Sequence, residues 1–165
     1  MPAEVEVKNV VAVGGIPPAE QTPVEVPGIT TGAAYADKDQ IGSLFSFDRV
    51  SRNDVFSGIL QGGNYYDLDD EGLQVDLWLF YGTVTLAADN AAFALSDGDL
   101  AKVVAVLSFT AFSDAANGQF SQVTGLAKPF RTRGGTRLWA AAKARGALNI
   151  AAGNLPRFSL DVLPD

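Results

Sequence analysis

Residues 75–109 read VDLWLFYGTVTLAADNAAFALSDGDLAKVVAVLSF. The opening of this stretch alternates as an extended chain does. Val75, Leu77, Leu79 and Tyr81 fall on one side of a strand, and Trp78 and Phe80 fall on the other. Both sides are apolar, which places the strand in the middle of a sheet covered on both faces. SDGDLAKV then supplies a short helical turn with Ser96 or Asp97 as its N-cap. VVAVLSFTAF, residues 103–112, is β-branched and aromatic and reads as a second buried strand. The connecting DNAAFALSDGDL segment is polar at both ends and apolar between. Phe93 and Leu95 either fold back on the sheet or pack against a neighbouring subunit. No nucleophile stands beside a base anywhere in the stretch, so it reads as scaffold.

The same pattern continues outward. EVEVKNVVAV, residues 4–13, alternates and is expected to be a strand. Residues 14–36 hold four of the eight prolines and four glycines, a composition that excludes a sheet interior and predicts a long loop or extended arm. Ile16, Val24, Val26 and Ile29 in this arm need apolar cover. Val24 to Val26, lying between prolines, suits addition to a sheet edge. IGSLFSF (41–47) and VFSGILQGGNYYDL (55–68) read as strands, with Gly62-Gly63 marking a bulge or tight bend. Asp69 to Gly72 looks like a hairpin turn. Further strands are expected at FSQVTGL, KPFRT, TRLWAAAKARG and RFSLDVLP. The alanine run is helical by propensity. The glycines on either side of it favour a strand with small inward residues. Eight to ten short strands broken by turns predict one all-β domain over residues 1–165: a β-sandwich or jelly-roll-like fold with a proline-rich arm and one helical turn.

Composition narrows the chemistry. The chain has 165 residues, no cysteine and no histidine. Disulfides, thiolate metal sites and the usual general base near neutral pH are therefore excluded. Net charge is -7, which disfavours free nucleic acid as a partner. The charge is divided along the chain: residues 1–80 carry 13 acids and 4 bases, and residues 81–165 carry 6 acids and 8 bases. Between Asp114 and Asp161 there is no acid, while Arg131, Arg133, Arg137, Lys143 and Arg145 all occur. Either folding mixes these charges on one surface, or a basic face meets an acidic face of another subunit. No apolar run approaches the roughly 20 residues of a membrane span. The N-terminus lacks the basic-then-apolar order of a secretory signal.

Candidate sites are few. Asp67, Asp69, Asp70 and Glu71, or Asp97 with Asp99, supply carboxylates that calcium takes, but without the spacing of a calcium loop. Turns favour aspartate for backbone reasons alone. Tyr65, Tyr66, Trp78 and Trp139 are possible sugar platforms, although the two tryptophans sit inside strand patterns that suit core packing. The glycine-rich GGIPP and RGGTR match no phosphate-binding pattern. No catalytic residue, metal ligand or cofactor is assigned, and the chain is not expected to be an enzyme.

Several segments, in order along nearly the whole chain, resemble small tailed-phage virion proteins of the head decoration, or capsid cement, type. They are VEVKNVVAV, AYADKDQIGSLFSF, SGILQGG, VDLWLFYG, DNAAFALSDGDLAKVVAVLSF, LAKPF, TRLWAAAKARG and SLDVLPD. The DNAAF…SDGDL piece and the LW-x5-RG piece are the most specific. The resemblance implies a β-sandwich on the outer surface of a phage capsid that clamps the shell by binding the major capsid protein, commonly as a homotrimer. From the net charge and the lack of a long apolar run, no membrane and no free nucleic acid are expected as partners. Ile16, Val24, Val26, Ile29, Phe93, Leu95, Arg131 and Arg133 are the candidate partner contacts. The proline-rich 14–36 stretch is long for the group.

Overall fold

The computed structural model describes residues 22–30, 32, 34–52, 55–133, 135–151 and 153–164. The strand expected over 4–13 and the part of the arm holding Ile16 lie outside them. The described elements run β1 (Val24–Glu25), β2 (Ala34–Tyr35), β3 (Gln40–Phe47), β4 (Ser57–Asp67), β5 (Val75–Phe80), α1 (Asp97–Leu100), β6 (Val103–Phe109), β7 (Ser113–Asp114), β8 (Gln119–Val123), β9 (Lys128–Arg131), β10 (Leu138–Ala144), β11 (Leu148–Asn149) and β12 (Arg157–Pro164). The chain is all-β, as its alternation predicts, and sandwich-like.

One sheet has the order β3-β10-β5-β6, every pair antiparallel. β5 is central in it, as its two apolar faces require. Val75, Leu77 and Leu79 of β5 point into the main core with Leu138, Ala140 and Ala142 of β10. The alanine run is a strand, and its small side chains leave room for larger neighbours across the core. The second sheet has the order β1-β12-β4-β8-β7, with β9 also paired to β4. Its Tyr65 and Phe158 stack at 4.9 Å, and both rings meet Phe109 of the first sheet, at 5.7 Å each. These contacts join the two layers into one core. β2 and β11 form a separate two-stranded ribbon.

Two local expectations resolve differently. Asp69 to Gly72 is not a hairpin turn: β4 and β5 belong to different sheets, so the turn carries the chain from one layer to the other. The Asp67 carboxylate holds this crossing by accepting from the N–H groups of Asp69 (3.1 Å) and Leu73 (3.0 Å). Gly62 does mark a bulge. The β4–β12 register slips there, and β4 changes its other neighbour from β9 to β8. Ser96, rather than Asp97, caps α1, its hydroxyl accepting from Asp99 N–H at 3.1 Å.

The described part of the arm docks on its own chain. β1 pairs with the edge of β12, Val24 opposite Phe158 and Glu25 opposite Arg157. Val26 is fully buried in the main core, and Val24 and Ile29 pack half-buried against it. Val24, Val26 and Ile29 are therefore covered within the molecule.

Candidate functional site

The outer face of the four-stranded sheet changes character along its length. At one end Asp76 of β5 lies between Ser108 of β6 and Lys143 of β10, directly across the strands. It accepts from Ser108 at 2.6 Å and Arg145 at 3.0 Å, and pairs with Lys143 at 3.0 Å. Burial pushes its pKa up. The Ser108 hydroxyl and the two cations outweigh that and hold it below the usual aspartate range. This cluster ties three strands together.

In the middle of the face, Phe80, Val84 and Ala141 form a second apolar core with Leu44, Trp78, Phe93, Leu95 and Trp139 around it. Trp78 meets Phe93 at 5.2 Å. The segment between β5 and α1 thus closes over its own sheet, and Phe93 and Leu95 follow the first of their two readings. Asp89 holds the same segment in place. Its carboxylate accepts from Gly42 N–H (2.6 Å), Thr30 N–H (2.8 Å) and the Tyr35 hydroxyl (2.8 Å). Burial pushes the Asp89 pKa up, but these three donors bring it below the ordinary value. Burial, with Asp89 close by, pushes the Tyr35 phenol well above its usual range, so it remains a neutral donor. Reading by composition missed Asp89. The only signal was an acid among alanines.

At the far end the chain leaves β3 and β5 and enters β10, and these loops enclose an open cleft of about 660 Å³. Asp48, Arg49, Tyr81, Arg133, Arg137 and Trp139 line it. Asp48 pairs with Arg137 at 2.5 Å. The Arg133 guanidinium lies 4.7 Å over the Tyr81 ring, and Arg137 lies 5.4 Å over Trp139. The backbone of Arg49 is left-handed at φ 59°, in a turn held by the Val50 N–H to Thr136 carbonyl bond at 2.8 Å. Among the described residues, neither Arg49 nor Arg133 has a carboxylate partner.

Of the candidate contacts among the described residues, only Arg133 lines this cleft. Arg131 is exposed at the end of β9, opposite Ser57. Trp139 is half-buried at the cleft wall rather than enclosed in the core. Tyr65 is buried in the main core, and Tyr66 packs on Phe120 at 5.4 Å. The acidic turns act on backbone. Asp69 accepts from Ala151 N–H and Asn154 Nδ2, both at 2.8 Å. Asp99 accepts from Lys102 and Thr85 N–H, at 2.8 and 3.2 Å. The Lys102 ammonium, with Thr85, sets the Asp99 carboxyl below its usual range. Among the described residues no three His, Cys, Asp or Glu side chains converge as a metal site. The chain matches no protein-family model, no curated protein and no solved structure.

Proposed function

We propose that the protein is a structural component of a tailed-phage virion, placed on the outside of the capsid, where it binds the major capsid protein and stabilises the shell. The observation that carries this reading is the use made of the acids. Asp67, Asp69, Asp76, Asp89 and Asp99 each hold a loop or strand to its neighbour. Aspartates engaged in this way stiffen a β scaffold and leave little for acid–base chemistry. A stiff shell-binding module needs that property. The resemblance of its segments to head decoration proteins points the same way. We further propose a homotrimer, the usual assembly of that group.

Particles made with and without the protein test the reading. Quantitative mass spectrometry should find it at the copy number of a capsid surface component. Shells lacking it should release DNA at lower temperature. A copy number of tail scale would favour the second reading, a tail, head-fibre base or receptor-binding part. The open, arginine-lined cleft favours that alternative over an inert spacer.

A further inference from the structure

We propose that the cleft at the end of the four-stranded sheet binds an extended acidic peptide, gripping two carboxylates with Arg49 and Arg133. The inference goes beyond the structural role above and holds whichever particle part the chain forms.

The electrostatics of the cleft run against those of the molecule. The chain carries a net charge of -7, yet among the described residues three guanidiniums and one carboxylate line this cleft. Asp48 is engaged by Arg137. Arg49 and Arg133 are left facing the cleft without an acid among the described residues. Two cations lining one cleft repel one another, and an incoming pair of carboxylates offsets that repulsion.

The geometry selects the kind of anion. A guanidinium stacked on a ring keeps its in-plane N–H donors free at the edge, and that edge matches a planar carboxylate through two parallel bonds. The contact of its guanidinium with the Tyr81 ring, at 4.7 Å, also restrains Arg133 before anything binds, so less side-chain freedom is lost. Sugars make a poorer fit. They stack on bare aromatic faces, and the faces of Tyr81 and Trp139 already carry Arg133 and Arg137. Nucleic acid fits worse still, because a dense polyphosphate meets the negative charge of the rest of the molecule. The cleft is open and about 660 Å³ in volume. That suits a few residues of a segment passing through more than a small molecule enclosed on all sides.

The test uses capped tetraglutamate as the probe, with capped tetraglutamine as the neutral control, at low ionic strength. Amide shifts in the full-length protein should saturate with tetraglutamate at residues 49, 81–83 and 133–137 and at the Trp139 indole, and tetraglutamine should leave them unmoved. Arg49→Ala and Arg133→Ala should each weaken binding about tenfold, the loss of one charge-assisted pair. Arg133→Lys should recover only part of it, because an ammonium lacks the fork. Arg145→Ala, at the other end of the sheet, should leave affinity unchanged. Urea midpoints check that each variant is folded. No saturable shift at the cleft would overturn the proposal. So would affinity indifferent to both arginine variants, or tighter binding of tetragalacturonate or a short DNA duplex than of the peptide.

Discussion

A single carboxylate decides how the segment between β5 and α1 sits. Asp89 joins Thr30, Tyr35 and Gly42, residues that sequence alone would not connect to it. Asp89→Ala should cost roughly 2 kcal/mol at neutral pH, since hydrogen bonds to a charged group are worth more than neutral ones but this one is partly solvated. Urea titration measures it. pH dependence follows from the same groups. An unfolded aspartate titrates at about pH 3.9, while Asp76 and Asp89 titrate lower in the fold. As pH falls through about 4, the unfolded chain takes up protons first. The stability from both residues is therefore complete above that pH and is lost as pH drops toward their folded values. Asp89→Ala should flatten this acid limb, and an unchanged limb would show that Asp89 does not contribute to it. Trp78 offers a second test. It is half-buried against Phe93, with its indole N–H buried and without an acceptor among the described residues. Trp78→Phe keeps the apolar contact and removes that donor, so it should cost less than about 1.5 kcal/mol. Trp78→Ala should cost about 3 kcal/mol.

β4 is the longest strand among the described residues, and it works by serving two neighbours in turn. Ser57 to Leu60 pair with β9, and Gly63 to Asp67 pair with β8. The switch happens at Gly62, where an added Cβ would overlap the Val123 carbonyl oxygen. Gly62→Ala should therefore destabilise by about 1–3 kcal/mol, as overpacking does, with the loss read from denaturant midpoints. Gly58→Ala presses mainly on the Phe130 ring and the Leu163 carbonyl and makes a useful companion. The arm is an element of the same kind. Deleting residues 22–30 removes β1, the buried Val26 and the Thr30 donor to Asp89. That should lower stability by roughly 2–5 kcal/mol, the range for losing a buried aliphatic side chain. A deletion variant as stable as the parent would mean that these contacts contribute nothing.

Across the whole molecule, folding mixes the charges that the chain keeps apart. Glu25 pairs with Arg157, Asp48 with Arg137, and Asp76 with Lys143 and Arg145, each joining the acidic half to the basic half. The charge division along the chain thus serves internal pairing, and Arg49 and Arg133 remain at the cleft without a carboxylate partner among the described residues. Self-association is the property to measure at this scale. Light scattering at micromolar concentration should give three times the 17.3 kDa chain mass. A clean monomer at high concentration, with no threefold clusters on particles, would refute the trimer.

Alternation, proline and glycine by themselves determined the longer strands among the described residues, β3 to β6, β8 to β10 and β12, but not the two-residue β2, β7 and β11. The two apolar faces of VDLWLF made β5 central, the glycines around RLWAAAKARG kept the alanine run extended, and Gly62 marked the bulge. These are local signals, because side-chain periodicity and backbone freedom belong to a few consecutive residues. Whether Asp69 to Gly72 closes a hairpin or crosses between sheets is not local, since both use the same turn residues. Nor is the cleft. Arg49, Tyr81 and the Arg133–Trp139 segment come from three distant parts of the chain and meet only because β10 runs antiparallel between β3 and β5. Strand order is decided by which apolar faces close the core together, a property of the assembled layers that no short stretch of sequence carries.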